Sequence, residues 1–181
     1  MLVRRYAVAL LGSVLLLSGC SAAASTPQQS ASPSASGFTY KSVSVSGPFG
    51  EKPTVLIGDD LQGLLPFMGN NAPSELVVRD VIVGNGAVAT PASQVSVNYI
   101  GRTAKTKHTF DSSWARSKTF DYVPSKLGFA AFKDGVVGMK VGGRRLVVVP
   151  AKLGFGDNPP ASSGVRPGET LIFVIDLVSV R

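Results

Sequence analysis

Through the second half of the chain, apolar and polar positions alternate with a period of two, and the alternating runs stop at glycine, proline or asparagine. That period marks extended chain, because successive side chains of a strand point to opposite faces. Residues 76–83 (LVVRDVIV) read as a strand and Gly84-Asn85-Gly86 as a turn. In residues 94–101, Val95, Val97 and Tyr99 fall against Ser96, Asn98 and Ile100, which predicts a strand with one face buried. Extended runs at 108–110 and 119–123 flank a polar loop that holds Trp114. Residues 144–149 form a β-rich run stopped by Pro150, a long loop covers 151–168, and residues 170–180 make a final strand. In that strand Leu171, Phe173, Ile175 and Leu177 share one face, and Ile172, Val174, Asp176 and Val178 share the other.

The period changes once. Phe129, Phe132 and Val136 recur at helical spacing while Lys133 and Asp134 fall elsewhere, which predicts a short helix with an aromatic face. Ser125 is placed to cap its start and Gly138 to end it. Gly128 and Gly135 weaken its interior, so its stability has to come from burying the phenylalanines. Many strands and one short helix predict an α+β domain, a twisted antiparallel β-sheet wrapped around that helix.

The N-terminal part has a different pattern. Arg4 and Arg5 precede an apolar run at 7–17 that is too short for a comfortable membrane span, followed by Ser18, Gly19 and Cys20. We read residues 1–19 as a secretory signal; Leu17-Ser18-Gly19-Cys20 resembles the bacterial lipobox, in which the cysteine is acylated and the chain is cut just before it. Cys20 is the one cysteine of the chain, so no intrachain disulfide can form, and lipidation gives it a use at that position. Residues 20–37 are small, polar and uncharged, unable to offset the entropy of ordering, and read as a lipid-anchored Ser/Ala/Pro-rich tether. Residues 38–45 alternate like a single strand, Gly47-Pro48 breaks it, and 53–57 offer a second extended piece. Residues 61–68 are apolar but interrupted by Gly63 and Pro66, and we take 38–74 as an appended β-rich segment.

Composition narrows the chemistry. A chain of 181 residues with 44% apolar content allows one ordinary domain plus appendages. The formal charge is +7, of which Arg4 and Arg5 belong to the signal; the excess lies at Arg102, Lys105, Lys107, Arg116, Lys118, Lys126, Arg144 and Arg145, a basic face suited to solubility or to anionic lipid. Nucleic acid is not expected, since no recognition motif accompanies that charge. His108 is the one histidine and reads as a solvated turn residue, so neither a catalytic triad nor a zinc set can be assembled with it. The glycines sit at turns, with no phosphate-binding or dinucleotide fingerprint, and no cofactor or metal is expected.

Several blocks, taken together and in order, resemble the FKBP-type peptidyl-prolyl isomerases: VSVNYIG (95–101), TFDSSW (109–114), FKDGVVGMKVGGRR (132–145) and GETLIFVIDLV (168–178). The resemblance covers 75–181, which we take as the FKBP-like domain; the wording KSVSVSGPFGEKPTV resembles the segment that precedes that domain in some secreted actinobacterial members. It implies the same sheet-around-helix architecture and an apolar pocket for proline. Phe132 would form its floor and Phe110, Phe120 and Phe173 its walls, with Phe129, Phe155 and Val165 completing it. Asp111 and Tyr99 would be its polar members, Tyr99 donating to Asp111 or both orienting a bound carbonyl, and the main-chain N–H of Phe129 would meet ligand. Tyr99, Asp111, Phe132 and Phe155 are thus the implied catalytic set, and the others bind substrate. The chain departs from the family's pattern where Phe132 stands for the usual tryptophan, Phe155 for the usual tyrosine and Ala130-Ala131 for a Pro-Gly or similar pair, and the 157–166 loop aligns only loosely.

Rotation about an Xaa-Pro bond needs none of the missing chemistry. Its barrier is roughly 18–20 kcal/mol because the amide is resonance-stabilised, and uncatalysed exchange takes about 10–100 s. A twisted amide carries less charge separation than a planar one, so a dry aromatic cavity favours it. The expectation is an exported, lipid-anchored, monomeric prolyl isomerase at the extracytoplasmic face of the cell membrane, acting on proline-containing peptides or unfolded exported proteins. Two alternatives stand beside it: a noncatalytic peptide-binding chaperone using the same groove, and an envelope-binding lipoprotein using the basic face.

Overall fold

Strand β1 (Phe38–Tyr40), strand β2 (Val43–Ser46) and strand β3 (Thr54–Ile57) form a three-stranded antiparallel sheet in which β2 is central. They open the computed structural model, which describes residues 38–40, 43–57 and 73–181, all within one folded unit of the chain. The signal at 1–19, Cys20, the tether at 20–37 and the apolar run at 61–68 lie outside the described residues. The single strand read over 38–45 is two: Phe38 pairs with Val45 and Tyr40 with Val43, so the chain doubles back on itself.

The second sheet is antiparallel throughout. Its order is β4 (Val77–Ile82), β8 (Arg144–Val149), β9 (Leu171–Val180), β5 (Val95–Thr103) and β6 (Thr109–Ser112), with β7 (Phe120–Tyr122) pairing the start of β5. Strand β5 therefore runs against β9 along its whole length, while its other edge is shared by β7 at Val95–Val97 and by β6 at Ile100–Arg102. Each strand matches a sequence run to within a few residues.

The helix is shorter than its pattern. Helix α1 is one turn, Ala130–Lys133, with Phe129 rather than Ser125 at its N-cap (φ −84°, ψ 119°); Pro124–Lys126 forms a separate 3-10 turn. Glycine brackets the turn on both sides. At Gly135 a Cβ would stand 2.4 Å from the Ala131 carbonyl oxygen, so the chain can leave the helix there only without a side chain. Val136 is buried outside the helix, so the apolar face that the spacing identified survives although the helical turn does not.

The expectation of one buried face on β5 is also corrected, because both sides of the sheet are covered. On the α1 side, Val95, Val97, Tyr99, Phe132, Val136, Val147, Leu171, Phe173, Ile175 and Leu177 make the larger core. On the other side Ile100, Leu146, Ile172 and Val174 pack against Val43, Val45, Val55 and Ile57 of the N-terminal sheet. Residues 43–57 thus share a core with the strands behind the helix.

A buried ion pair fastens the two sheets. Arg144 and Asp176 face each other across β8 and β9, with side chains 0% and 2% exposed, joined by Nε–Oδ1 at 2.6 Å and Nη2–Oδ2 at 2.8 Å. Arg144 also donates to the carbonyls of Gly47 (2.8 Å) and Glu51 (2.7 Å), and the Gly50 amide donates to Asp176 at 3.2 Å. Farther along, Arg102 donates to the carbonyls of Val55 and Lys107. The basic face expected from sequence loses members accordingly. Arg144 is interior, Arg145 is buried and paired with Asp80 at 2.6 Å, and Arg116 pairs with Asp111.

Candidate functional site

Strand register delivers the rings. Tyr99 lies on β5 opposite Ile175, and two residues on, Gly101 stands between Phe173 of β9 and Asp111 of β6. That glycine is required by its neighbours: a Cβ there would be 2.7 Å from Phe110 Cζ and 2.9 Å from Phe173 Cε1. Without one, Phe110 and Phe173 meet edge to face with centroids 5.5 Å apart. A glycine inside an alternating run, where it weakens the strand, is the sequence signal for such a close approach.

Phe132, held on α1, is the hub. Its ring centroid lies 4.9 Å from Tyr99, 5.3 Å from Phe120, 5.4 Å from Phe173 and 6.1 Å from Phe129. Phe155, which follows the 3-10 turn Ala151–Leu153, stands 5.9 Å from Phe110 and 5.3 Å from Phe129. Exposure sorts the rings by depth: Phe173 (1%) and Phe132 (9%) lie at the base, while Phe110, Phe120, Phe129 and Phe155 are half-buried around them. Val165 is buried against the same core. The aromatic positions expected from sequence therefore converge from separate strands, the helix and the long loop. Tyr122 joins them unforeseen, stacked on Phe120 at 4.7 Å and 5.7 Å from Phe132, with its buried hydroxyl making no hydrogen bond among the described residues.

The polar edge has three members. The Tyr99 hydroxyl donates to Asp111 Oδ2, and Arg116 donates through Nη1 to Asp111 Oδ1 and through Nη2 to the Tyr99 oxygen at 2.8 Å. The Arg116 guanidinium also lies 5.7 Å from the centre of the Tyr99 ring, within cation–π range. Of the two arrangements open from sequence, the structure has Tyr99 donating to Asp111. Arg116, counted from sequence only as surface charge, is the residue that completes the group. It reaches there because Ser113, fully buried, ties its turn to β5: Ser113 Oγ accepts from the Tyr99 amide at 2.9 Å and donates to Asn98 at 2.9 Å.

These contacts set the protonation. Burial, then the bond to Asp111, pushes the Tyr99 phenol up to about 12, so it stays protonated at neutral pH. At Asp111 burial acts upward but is outweighed by the hydrogen bonds from Tyr99 and Arg116 and by the Arg116 charge, which hold the carboxyl below its ordinary value and keep it ionised. The arrangement is a fixed, internally neutralised dipole beside an apolar ring surface.

Comparison with known proteins agrees with this geometry. Residues 86–178 match the family described as FKBP-type peptidyl-prolyl cis-trans isomerase. The chain is similar to an FK506-binding protein of Streptomyces anulatus, 42% identical over 118 residues that cover 63% of this chain and 93% of that one. It is likewise similar to a probable FK506-binding protein of Corynebacterium glutamicum, 44% identical over 108 residues, covering 60% of this chain and 89% of that one. Among solved structures, AtFKBP13 superposes with a TM-score of 0.54 at 25% identity, covering 60% of this chain and 95% of that one. FkpA from Escherichia coli superposes with a TM-score of 0.53 at 28% identity, covering 60% of this chain and 49% of that one. Fold, motif order and similarity agree, and the chain belongs to the FKBP-type peptidyl-prolyl cis-trans isomerase family.

Proposed function

We propose that this chain accelerates rotation about Xaa-Pro bonds in exported polypeptides, gripping the proline in the recess between its converging rings. The observation that carries the reading is the arrangement of Tyr99, Phe120, Phe129 and Phe173 around Phe132, with the Tyr99–Asp111–Arg116 group at one edge. The rings supply an apolar surface of high contact area, and the proline ring, having no N–H, enters it without losing a hydrogen bond. As the amide twists and loses charge separation, replacing water by rings favours the twisted form over the planar one. No nucleophile takes part. Tyr99, with its proton committed to Asp111, acts as a wall whose orientation is locked; Asp111 and Arg116 keep it there.

An accelerated approach to cis/trans equilibrium for short Xaa-Pro peptides, followed by fluorescence or coupled proteolysis, tests the reading. Lack of acceleration at micromolar protein overturns it. Binding of those peptides without acceleration would instead support the noncatalytic chaperone reading, which one observation favours: Phe155 presents no hydroxyl to a substrate carbonyl. We further propose that Cys20 carries the lipid that holds the protein at the extracytoplasmic face of the membrane. Two or more acyl chains would hold it stably, since each buried methylene contributes about 0.8 kcal/mol. Fatty-acid labelling that persists in Cys20→Ser refutes the anchor.

A further inference from the structure

The loop 151–170 carries Phe155 and Val165 to the rings, and a carboxylate fastens it. Glu169, 7% exposed, accepts through Oε1 from the Thr106 amide at 3.0 Å and the Thr106 hydroxyl at 3.1 Å, and through Oε2 from the Arg166 amide at 3.2 Å. It therefore joins the turn between β5 and β6 to the far end of the loop. An ionised carboxylate only accepts, so the Thr106 hydroxyl donates to Glu169, and Thr103 Oγ1 donates to Thr106 at 2.6 Å in preference to the His108 carbonyl at 3.3 Å. Thr103 in turn accepts from the His108 amide at 2.8 Å. The result is a directional chain from His108 through Thr103 and Thr106 to Glu169, its members polarising one another.

Further contacts spread this grip over the loop. The Ala104 amide donates to the Thr170 carbonyl at 2.9 Å, and the Gly168 amide donates to the Gly156 carbonyl, next to Phe155, at 2.9 Å. The His108 ring lies against Gly164, where a Cβ would be 3.0 Å from Nε2, next to Val165. Each end of the stretch that holds Val165, and the residue after Phe155, is thus referred to one turn.

We propose that Glu169 is a positioning residue: by bridging the β5–β6 turn to the loop it fixes Phe155 and Val165 over the ring cluster, and so sets which residue before the proline the recess accepts. The second half rests on the reading of the recess as the Xaa-Pro site. Proline goes to the base, against Phe132, and its preceding residue meets the half-buried rim that Phe155 helps to form. A rim held at one width discriminates between side chains; a loose rim adapts to them.

The test uses the full chain with two readouts, the kcat/KM for a series of Xaa-Pro peptides and amide exchange at Gly168. In Glu169→Ala, Gly168 exchange is expected to rise about tenfold, and the spread of kcat/KM across the series to shrink about threefold, mainly through KM. Glu169→Gln keeps an acceptor for Thr106 and is expected to restore most of both. Should Glu169→Ala not fold, Thr106→Val, which removes the hydroxyl and keeps the amide, is expected to give the same changes at smaller size. Unchanged Gly168 exchange in a folded variant overturns the proposal; faster exchange with an unchanged peptide spread overturns its link to substrate. If the wild-type chain accelerates no peptide, the isomerase reading is what fails, and the exchange readout alone decides whether Glu169 positions the loop.

Discussion

Replacing Arg144 by methionine tests how the two sheets are held together. Arg144 and Asp176 are 0% and 2% exposed, so the substitution leaves a carboxylate in the interior with the Gly50 amide, 3.2 Å away, as its remaining donor among the described residues. It also strips the Gly47 and Glu51 carbonyls of the guanidinium they now bond at 2.8 and 2.7 Å. Removing one partner of a buried pair costs about 3–5 kcal/mol, because the other charge is left uncompensated. A domain of this kind is stable by about 5–15 kcal/mol, so roughly a fifth or more of that disappears. With a urea m-value near 2 kcal/mol/M, the midpoint is expected to fall by about 2 M at unchanged m. Adding Asp176→Leu removes the stranded charge, and the double variant is expected to recover part of the loss. A single variant costing less than about 1 kcal/mol, or a double variant worse than the single, would refute the reasoning.

Other outcomes follow from the same contacts. A chain beginning at residue 75 exposes Ile100, Leu146, Ile172 and Val174 and is expected to unfold at markedly lower urea, read by circular dichroism. Tyr122→Phe removes a buried hydroxyl that has no partner among the described residues, and a gain of about 1 kcal/mol in thermal or urea melts is expected. Phe132→Leu keeps an apolar base but loses its edge-to-face partners, so kcat/KM is expected to drop about tenfold while the fold persists. Because the Asp111 pKa is depressed in the fold, its contribution to stability is present above the ordinary carboxylate value and is lost as pH falls through the depressed one. The Tyr99 pKa is raised, so its contribution holds below an ordinary phenol value near 10 and fades as pH rises through about 12. Activity is therefore expected to be flat from about pH 5 to 9, and in Arg116→Ala the acid limb moves to higher pH, since Asp111 loses a donor and a neighbouring positive charge.

How much of this could be read beforehand differs by element. The strands were legible because their periods are strict, and the aromatic positions because the motif blocks occur in order. In strand β9 Ile172, Val174 and Val178 share a face with Asp176, and the cover over Ile172 and Val174 came from Val43, Val45, Val55 and Ile57, too few residues to announce a packed sheet. The arginines misled for a related reason: Arg144 finds Asp176 32 positions away and Arg145 finds Asp80 65 positions away, so sequence counts them as surface charge. The helix was read too long because spacing reports which side chains are buried, and Val136 is buried without being helical. Arg116 and Gly101 escaped because their roles depend on neighbours brought in by other strands, and Tyr122 because it meets Phe132 of the helix.

The N-terminal sheet has a directional consequence. It lies on the side of β8 and β9 away from α1 and the ring cluster, and β1 begins there at Phe38. A polypeptide held from its beginning would thus be gripped on the face of the sheet opposite α1, and a pull on that point would load β1–β3 and the Arg144–Asp176 pair before it reached the ring cluster.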